Sequence, residues 1–442
     1  MKYWKTLLAM FLIFALLFTL CACQDPFGPD DDGDDDDGGD PTVQKKVSLT
    51  LWSPITGSDL TIFNRLITQF NMEYDGKISV THSSEVRDNH YNNILNNVPV
   101  SGPDMAIIHS QLVMNFAKNG YLIPYDSTFF EKETIDTEDY LQSVISTLYL
   151  DNSLYGIPLD VHPIVLYYNK SIVGSNPLPT NYSELMALAQ KLTTGEGNNK
   201  VWGLPISVMW PSEFVYTTSL YQNGGKEVDK DSMPLFNSNE GAKAAEVMRD
   251  IIHLYNVSPN NLQADQDMNM FTSGKAAFHI QGSWALSGMV EALGEDLGVM
   301  SLSGLFTDEK TETSDQVFGR SHCFCVTTPS KKLSASKKQA IVTFVKWMGQ
   351  HSDQWSTAGQ IPAYNPARES DTYKNAKYLA DFGNPDNFRT AMGATYYEAG
   401  FETVFEYVTT IMKNNLDHAA VLDTLAKAQA DAIKSVNTEK EK

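Results

Sequence analysis

Apolar residues in the first part of the chain follow two repeating patterns. Residues 47–52 alternate apolar and polar side chains, which is typical of a half-buried strand. The next apolar residues recur at helical spacing and predict an amphipathic helix: Ile62, Phe63, Leu66, Ile67 and Phe70. The pattern continues with strands predicted at residues 77–80 and 104–109 and a helix at residues 90–98. Strands that alternate with helices predict a mostly parallel sheet with helices on both faces.

Residues 155–168 combine a tight turn, two polar side chains and a long apolar run. Gly156 and Pro158 form the turn, and Asp160 and His162 precede a run rich in β-branched and aromatic residues. Residues 318–326 predict a second long strand. We interpret both as strands that cross between two lobes. A chain of 442 residues also exceeds the roughly 250 to 300 residues at which one core stops growing.

The remaining pattern is mostly helical. Asn181 and Glu184 have the spacing of an N-terminal capping box, which predicts a helix start. Further amphipathic helices are predicted at residues 240–255, 337–348, 404–412 and 420–433.

The N-terminal residues resemble an export signal. Lys2 and Lys5 precede an apolar run at residues 7–20, which is shorter than the ~20 residues that a spanning helix needs. The run ends in Leu20, Cys21, Ala22 and Cys23, a pattern that resembles the bacterial lipobox. This resemblance implies that residues 1–22 are a signal peptide and that Cys23 is lipidated.

The next segment is strongly acidic. Residues 24–46 contain nine Asp, four Gly and three Pro, so they cannot bury enough apolar surface to offset their ordering entropy. We expect residues 23–46 to be a disordered tether, because the Asp spacing lacks the pattern of a calcium-binding loop. The net charge of −21 argues against nucleic acid and against docking on anionic lipid headgroups. Cys323 and Cys325 are interpreted as small buried hydrophobic residues rather than a disulfide.

Several segments in order resemble the extracellular solute-binding proteins of family 1, the receptors of carbohydrate importers of the ATP-binding-cassette (ABC) class. The similar segments span residues 47–442: Tyr-Gly-Ile-Pro at 155–158, Leu-Tyr-Tyr-Asn-Lys at 166–170, the helix at Asn181, Phe-x-x-Gly-Lys-Ala-Ala-Phe at 271–278, Gly282-x-Trp284, Pro-Ser-Lys at 329–331 before the helix with Phe344 and Trp347, and Gly-Gln-Ile-Pro at 359–362.

The resemblance implies a two-lobed α/β fold of the type II periplasmic-binding-protein kind, with mostly parallel sheets and hinge strands. Lobe 1 would comprise residues 47–159 and 319–351, and lobe 2 residues 163–318 and 352–442. The implied partners are a carbohydrate ligand, the permease subunits of an ABC importer and a membrane reached through the N-terminal lipid. The chain would act as an extracytoplasmic monomer without a cofactor, and hinge closure would link binding to transport.

A sugar cleft needs aromatic platforms for C–H faces and planar polar side chains for hydroxyls. The ends of the predicted strands and the loops beyond them carry this mixture, since ligands gather at the carboxyl ends of parallel strands. The predicted ligand residues are Trp52, Glu85, Ser110, Gln111, Asp160, His162, Trp210, Gln281, Trp284, Arg320, Tyr364 and Tyr397.

Structural roles compete with these predictions. Each indole could instead pack in a core, Asp160 could cap a turn, and Arg320 could bridge to a carboxylate rather than to hydroxyls. Trp347 lies within an amphipathic helix and is interpreted as structural.

The alternatives to a transport receptor are a glycan-acting enzyme and a surface adhesin. A glycosidase needs two carboxylates across a glycosidic bond, and no motif here singles out such a pair or any other catalytic group. A surface adhesin that holds a glycan without transport stays open. The nine His residues are scattered along the sequence, so no metal site is predicted.

Overall fold

The computed structural model describes residues 46–328 and 332–442. The predicted signal peptide, Cys23, nearly all of the acidic tether and the Pro-Ser-Lys segment at 329–331 lie outside these residues. The strands are β1 (Val47–Ser53), β2 (Ile78–Ser84), β3 (Met105–His109), β4 (Leu122–Ile123), β5 (Tyr149–Leu150), β6 (Ser153–Leu154), β7 (Ile157–Pro158), β8 (Asp160–Asn169), β9 (Phe278–Gly282), β10 (Leu297–Met300), β11 (Val317–Arg320), β12 (His322–Thr327), β13 (Ile361–Pro362) and β14 (Phe388–Arg389).

Helices separate most of these strands. They are α1 (Gly57–Glu73), α2 (Arg87–Ser101), α3 (Ser110–Lys118), α4 (Gln142–Ile145), α5 (Lys170–Val173), α6 (Tyr182–Leu192), α7 (Ser212–Gln222), α8 (Asn239–His253), α9 (Gln266–Thr272), α10 (Leu286–Leu293), α11 (Ala335–Gln350), α12 (Asp371–Lys374), α13 (Tyr397–Phe401), α14 (Val404–Lys413) and α15 (His418–Lys440). Among the described helices, none is both long and apolar enough to span a bilayer.

The first sheet has the strand order β2-β1-β3-β12-β4, with β7 paired to β12. Strand β1 runs parallel to β2 and β3, as the alternation of strands and helices predicts. Strand β12 runs antiparallel to β3, β4 and β7. It has this direction because it brings the chain back from the second sheet.

The second sheet is built around the long strand β8. Strands β9, β10, β11 and β13 all run antiparallel to β8, and only the β11–β14 pair in this sheet is parallel. The prediction of mostly parallel sheets therefore does not describe this sheet. Strand β8 leads the chain away from the first sheet, whereas β9, β10 and β11 run back toward it.

The two predicted crossings lie side by side. The Leu159 backbone N–H, between β7 and β8, donates to the His322 carbonyl at 2.7 Å. One step further, His162 pairs with Arg320 of β11. The chain therefore leaves the first sheet and returns to it through adjacent antiparallel segments.

Each sheet has its own hydrophobic core. The first core includes Phe63 and Phe344, and the second includes Tyr167 and Phe278. Cys323 is a buried free thiol of the first core, as is Cys325, which confirms that both act as small hydrophobic residues.

A buried carboxyl anchors helix α13 to the second core. The Tyr397 hydroxyl donates to Glu227 Oε1 at 2.5 Å, and both residues are buried. Burial raises the pKa of Glu227 to about 7, although the hydrogen bond from Tyr397 opposes this shift. The folded chain therefore favours the neutral carboxyl more than the unfolded chain does.

The substitution Glu227→Gln should stabilise the protein increasingly as the pH rises from 4.5 to 8. Because the folded state raises the pKa of Glu227, this carboxyl contributes its full stabilisation below its pKa in the unfolded chain. That contribution to the free energy of unfolding declines as the pH rises toward 7. An amide stays neutral, so the gain over wild type should reach about 3 kcal/mol at pH 8. Urea unfolding at each pH measures it. Exposed Glu291→Gln is the control, and a gain that does not change with pH would contradict the assignment.

Candidate functional site

A cleft of about 360 Å³ opens beside the two crossing strands. It is lined by the loop after β1, the crossings, the start of α7 and the residue Trp284 that follows β9. Two wider depressions, of about 560 and 460 Å³, lie elsewhere on the surface and have no tryptophan in their lining. Ligand sites typically combine apolar walls with a few convergent polar groups, which makes the cleft the candidate site.

One wall of the cleft is aromatic. The Trp284 ring lies 5.8 Å from the Trp210 ring and 5.4 Å from the Phe214 ring, measured between centroids. Trp210 is 39% exposed, so much of its indole remains available. A Cβ on Gly282 would lie 2.2 Å from the Trp284 indole. The glycine of the Gly282-x-Trp284 motif therefore leaves the space that the indole occupies.

Arg320 lies against this aromatic wall. Its guanidinium carbon is 4.9 Å from the Phe214 ring centre and 5.9 Å from that of Trp210. Its Nη2 donates to Glu213 Oε1 at 2.7 Å, and Glu402 Oε1 lies 3.7 Å away. Burial raises the pKa of Glu213 although Arg320 opposes the shift. Arg320 therefore forms the bridge to a carboxylate that the sequence left open as the alternative to binding ligand hydroxyls.

Asp160 lies behind the cleft floor and is completely buried. Its carboxylate accepts from the His322 backbone N–H at 2.9 Å and from His322 Nδ1 at 2.7 Å. It also accepts from Trp355 Nε1 at 2.7 Å and from His162 Nδ1 at 3.3 Å. Burial alone would raise the pKa of Asp160, but His322 and these hydrogen bonds hold it far below its usual range. Asp160 thus joins three segments of the chain.

Three imidazole rings meet at the cleft floor. The ring centroids of His162 and His322 are 4.5 Å apart, and His109 lies 4.9 Å from His322 and 5.7 Å from His162. Burial lowers the pKa of His162 to about 4, and His322 lowers it further. For His322, burial also acts to lower the pKa, but Asp160 outweighs it and the pKa is raised. Sequence reasoning missed this group because its members are far apart along the chain.

The loop after β1 brings a further acid into the cleft that the sequence did not single out. Gln360 Nε2 donates to Asp59 Oδ2 at 2.8 Å, and both residues line the cleft. Burial raises the pKa of Asp59 to about 6 although the hydrogen bond from Gln360 opposes it. The position of the loop at the carboxyl end of β1 was the available signal, together with Gln360 in the Gly-Gln-Ile-Pro segment.

The structure brings four of the predicted ligand residues into the cleft lining: His162, Trp210, Trp284 and Arg320. The other eight lie outside it: Trp52, Glu85, Ser110, Gln111, Asp160, Gln281, Tyr364 and Tyr397. Ligand contact by any of the twelve stays a prediction.

Those eight residues have identifiable surroundings. Trp52 packs against the first core, and Glu85 is exposed and accepts from Asn93 at 2.6 Å. Gln281 accepts from the neighbouring Gly282 backbone N–H. The Tyr364 ring packs against that of Tyr140, with centroids 5.3 Å apart.

Ser110 and Gln111 are buried in the first turn of α3. Within the described part of the chain, the Ser110 hydroxyl and both polar atoms of the Gln111 amide have no hydrogen-bond partner. Helix α3 packs beside α13, so these groups lie where the two halves of the structure meet.

A family described as bacterial extracellular solute-binding protein matches residues 65–381. The chain belongs to this family. The galactooligosaccharide-binding protein of Bacillus subtilis is 23% identical over 248 residues, which are 54% of this chain and 56% of that protein. The maltodextrin-binding protein MdxE of the same species is 22% identical over 237 residues, 51% and 53% of the two chains. The chain thus spans about half the length of the curated relatives that it matches.

The similar solved structures align with a larger share of this chain than the curated relatives do. The GacH receptor of Streptomyces glaucescens is 19% identical with a TM-score of 0.73, over 89% of this chain and 99% of the receptor. The sugar-binding protein MalE from Xanthomonas citri is 14% identical with a TM-score of 0.75, over 89% and 98%. These likenesses confirm the predicted two-lobed α/β fold.

The substitution Asp160→Asn should lower the free energy of unfolding by about 3 to 5 kcal/mol, because it breaks a buried ionic network whose other members stay in place. Urea unfolding followed by circular dichroism measures the change. The control is Asp151→Asn, at an exposed Asp in the turn between β5 and β6. Equal stability of the two variants would show that Asp160 does not hold the crossings together.

Proposed function

We propose that this family member is a lipid-anchored substrate-binding protein that captures a sugar or oligosaccharide in the cleft and delivers it to an ABC importer. The observation that carries the proposal is the indole wall of Trp210 and Trp284 opposite polar groups of the floor. Indole faces suit the C–H surfaces of a pyranose ring. The names of the relatives, which specify galactooligosaccharide and maltodextrin binding, support the same class of ligand.

The polar groups of the cleft suit hydroxyls. Asp59 offers carboxylate oxygens as acceptors, His162 can accept at Nε2, and His109 can donate or accept through a ring nitrogen. Arg320 is already bonded to Glu213, so its main effect at the wall is to fix the aromatic rings. Paired in this way, Glu213 is not free to act as a second catalytic carboxyl beside Asp59. This arrangement favours binding over glycoside hydrolysis.

We propose the lobe boundaries given by the sequence, with rotation about the adjacent crossings. The two cores support this division for most residues. Leu141 and Val144 instead pack into the second core, and Ala358 and Ala363 into the first, so short segments exchange sides. Such exchanged segments limit how far the lobes can separate.

One charged contact reaches across the cleft rim. Arg87, at the start of α2, has its Nη2 3.5 Å from Glu398 Oε1 of α13. Arg87 also lines the cleft, so lobe closure over a ligand would bring this contact and the ligand together. A receptor that docks on its permease in the closed form needs such contacts between its lobes.

The proposed location outside the cytoplasm rests on the family and on the N-terminal sequence. Receptors of this kind must meet solute before it enters the cell, and a lipid on Cys23 would hold the chain at the membrane surface. The acidic residues that follow would separate the folded body from the lipid.

The substitution Trp284→Ala should weaken sugar binding about tenfold, because an aromatic platform contributes about 1.4 kcal/mol. Isothermal titration calorimetry on the full chain with maltodextrins, galactooligosaccharides and their monosaccharides measures the affinity. The matched control is Trp202→Ala, since the Trp202 indole lies beneath Lys200 outside the cleft lining. The sugar hypothesis fails if no member of the panel binds, or if the Trp284 variant binds as tightly as wild type.

Replacing Cys23 by Ala should abolish lipid attachment, because the lipobox cysteine is the acceptor. In bacteria fed labelled palmitate, the variant should lose the label and move to the aqueous phase of a detergent partition. Cys21→Ala is the control and should keep the label. Loss of label from the Cys21 variant, or its retention by the Cys23 variant, would contradict the assignment.

A further inference from the structure

The three histidines of the cleft floor are assembled by strand pairing. His109 ends β3, and His322 opposite it begins β12. His162 lies on β8, next to the return crossing. One ring nitrogen of each histidine lies within 4.8 Å of those of the other two. All three side chains line the cleft.

Hydrogen bonds fix the orientation of two of the rings. An ionised carboxylate only accepts, so the contacts of Asp160 with His162 Nδ1 and His322 Nδ1 require both nitrogens to donate. When the imidazole is neutral this leaves the lone pair on Nε2, and a metal ion that binds there displaces the second proton that Asp160 favours on His322. A histidine that binds a metal through one nitrogen usually donates from the other to a carboxylate or similar oxygen.

The third ring is also held at Nδ1, but by a tyrosine hydroxyl that can either accept from this nitrogen or donate to it. His109 Nδ1 lies 2.5 Å from the Tyr91 hydroxyl, which also accepts from the His109 backbone N–H at 3.1 Å. Among the described residues, no hydrogen bond uses Nε2 of His109, His162 or His322. Three imidazoles are therefore each held at Nδ1 and have an uncommitted Nε2.

The local charge suits a cation. The buried Asp160 carboxylate lies directly behind two of the rings, and Asp59 stands on the cleft wall. The cationic Arg320 is already paired with Glu213 at 2.7 Å. Borderline-soft divalent ions prefer imidazole nitrogen to the oxygen ligands that Mg²⁺ and Ca²⁺ require.

We propose that Nε2 of His109, His162 and His322 bind one divalent transition-metal ion of the Zn²⁺ class, with a coordination position open to the cleft. Tetrahedral Zn²⁺ places its nitrogen ligands about 3.3 Å apart, whereas one ring nitrogen of each histidine, Nδ1 or Nε2, lies within 4.8 Å of those of the other two, so the rings must move closer together. His162 belongs to the second sheet, whereas His109 and His322 belong to the first. A small rotation at the crossings therefore supplies the approach, and the open position can take water or an oxygen of a cleft ligand.

The test is metal titration of the EDTA-treated full chain, made without a polyhistidine tag. Excess Mg²⁺ occupies weak carboxylate sites, including the Asp-rich N-terminal sequence. We expect one Zn²⁺ per chain by calorimetry, and Co²⁺ should give the intense visible absorption of a four-coordinate site. His109→Gln and His322→Gln should each weaken binding at least about 100-fold, the upper end of the loss seen when a ligand's hydrogen-bond partner is removed.

The matched control is His418→Gln, an exposed histidine that contacts Glu246 outside the cleft. It should bind metal like wild type. Circular dichroism must show that each variant is folded, and His109→Gln is the informative variant if His322→Gln unfolds. No binding by wild type, six-coordinate Co²⁺ spectra or equal binding by the His109 and His418 variants would each overturn the proposal.

The proposal goes beyond sugar capture and does not rest on it. The sugar titration is run on the EDTA-treated and the Zn²⁺-loaded chain. Metal binding without any sugar binding would refute the proposed function and keep the metal site. Sugar binding without specific metal binding would refute the metal site and keep the proposed function.

Discussion

One buried carboxylate holds the centre of this structure together. Asp160 lies at the point where the chain leaves the first sheet, and it accepts from His322 on the returning segment and from Trp355 after α11. Removing such a carboxylate from water costs several kcal/mol, which only good hydrogen bonds and a nearby positive charge can offset. Asp160 has both, since four donors surround it and its charge raises the pKa of His322. The cleft floor thus depends on the hydrogen bonds and the positive charge that compensate one buried carboxylate, rather than on apolar packing.

Local patterns in the sequence predict the elements better than their pairing. The alternation at residues 47–52 and the helical spacing after it correspond to β1 and α1, and residues 155–168 do form the outward crossing. A long apolar run in the sequence shows that a strand is buried, but it does not reveal the direction of the neighbouring strands. The antiparallel partners of β8 come from segments more than a hundred residues away, so their direction depends on the path of the whole chain.

The difference between local patterns and long-range pairing also explains which residues of the cleft could be predicted from the sequence and which could not. Trp284 and His162 could be chosen because each lies at the end of a strand or crossing, where ligands gather. The prediction of Tyr397 as a ligand residue took no account of a buried partner, Glu227, that lies 170 residues away in sequence. The histidine group was invisible for a related reason. It exists only because the register of β12 against β3 and of β11 against β8 places three distant rings together.

The rim of the cleft completes the electrostatic arrangement that begins at Asp160. Glu213 and Glu402 lie on the second-sheet side, where Arg320 is 2.7 Å from the first and 3.7 Å from the second. Glu398 is nearby, and burial together with the charge of Glu402 raises its pKa to about 8. The raised pKa keeps most of Glu398 neutral near pH 7, and Arg87 from the other side supplies a second positive charge beside it. Arg87 and Arg320 thus approach the same group of carboxyls from the two sides of the cleft, so the rim links the two sides through these contacts.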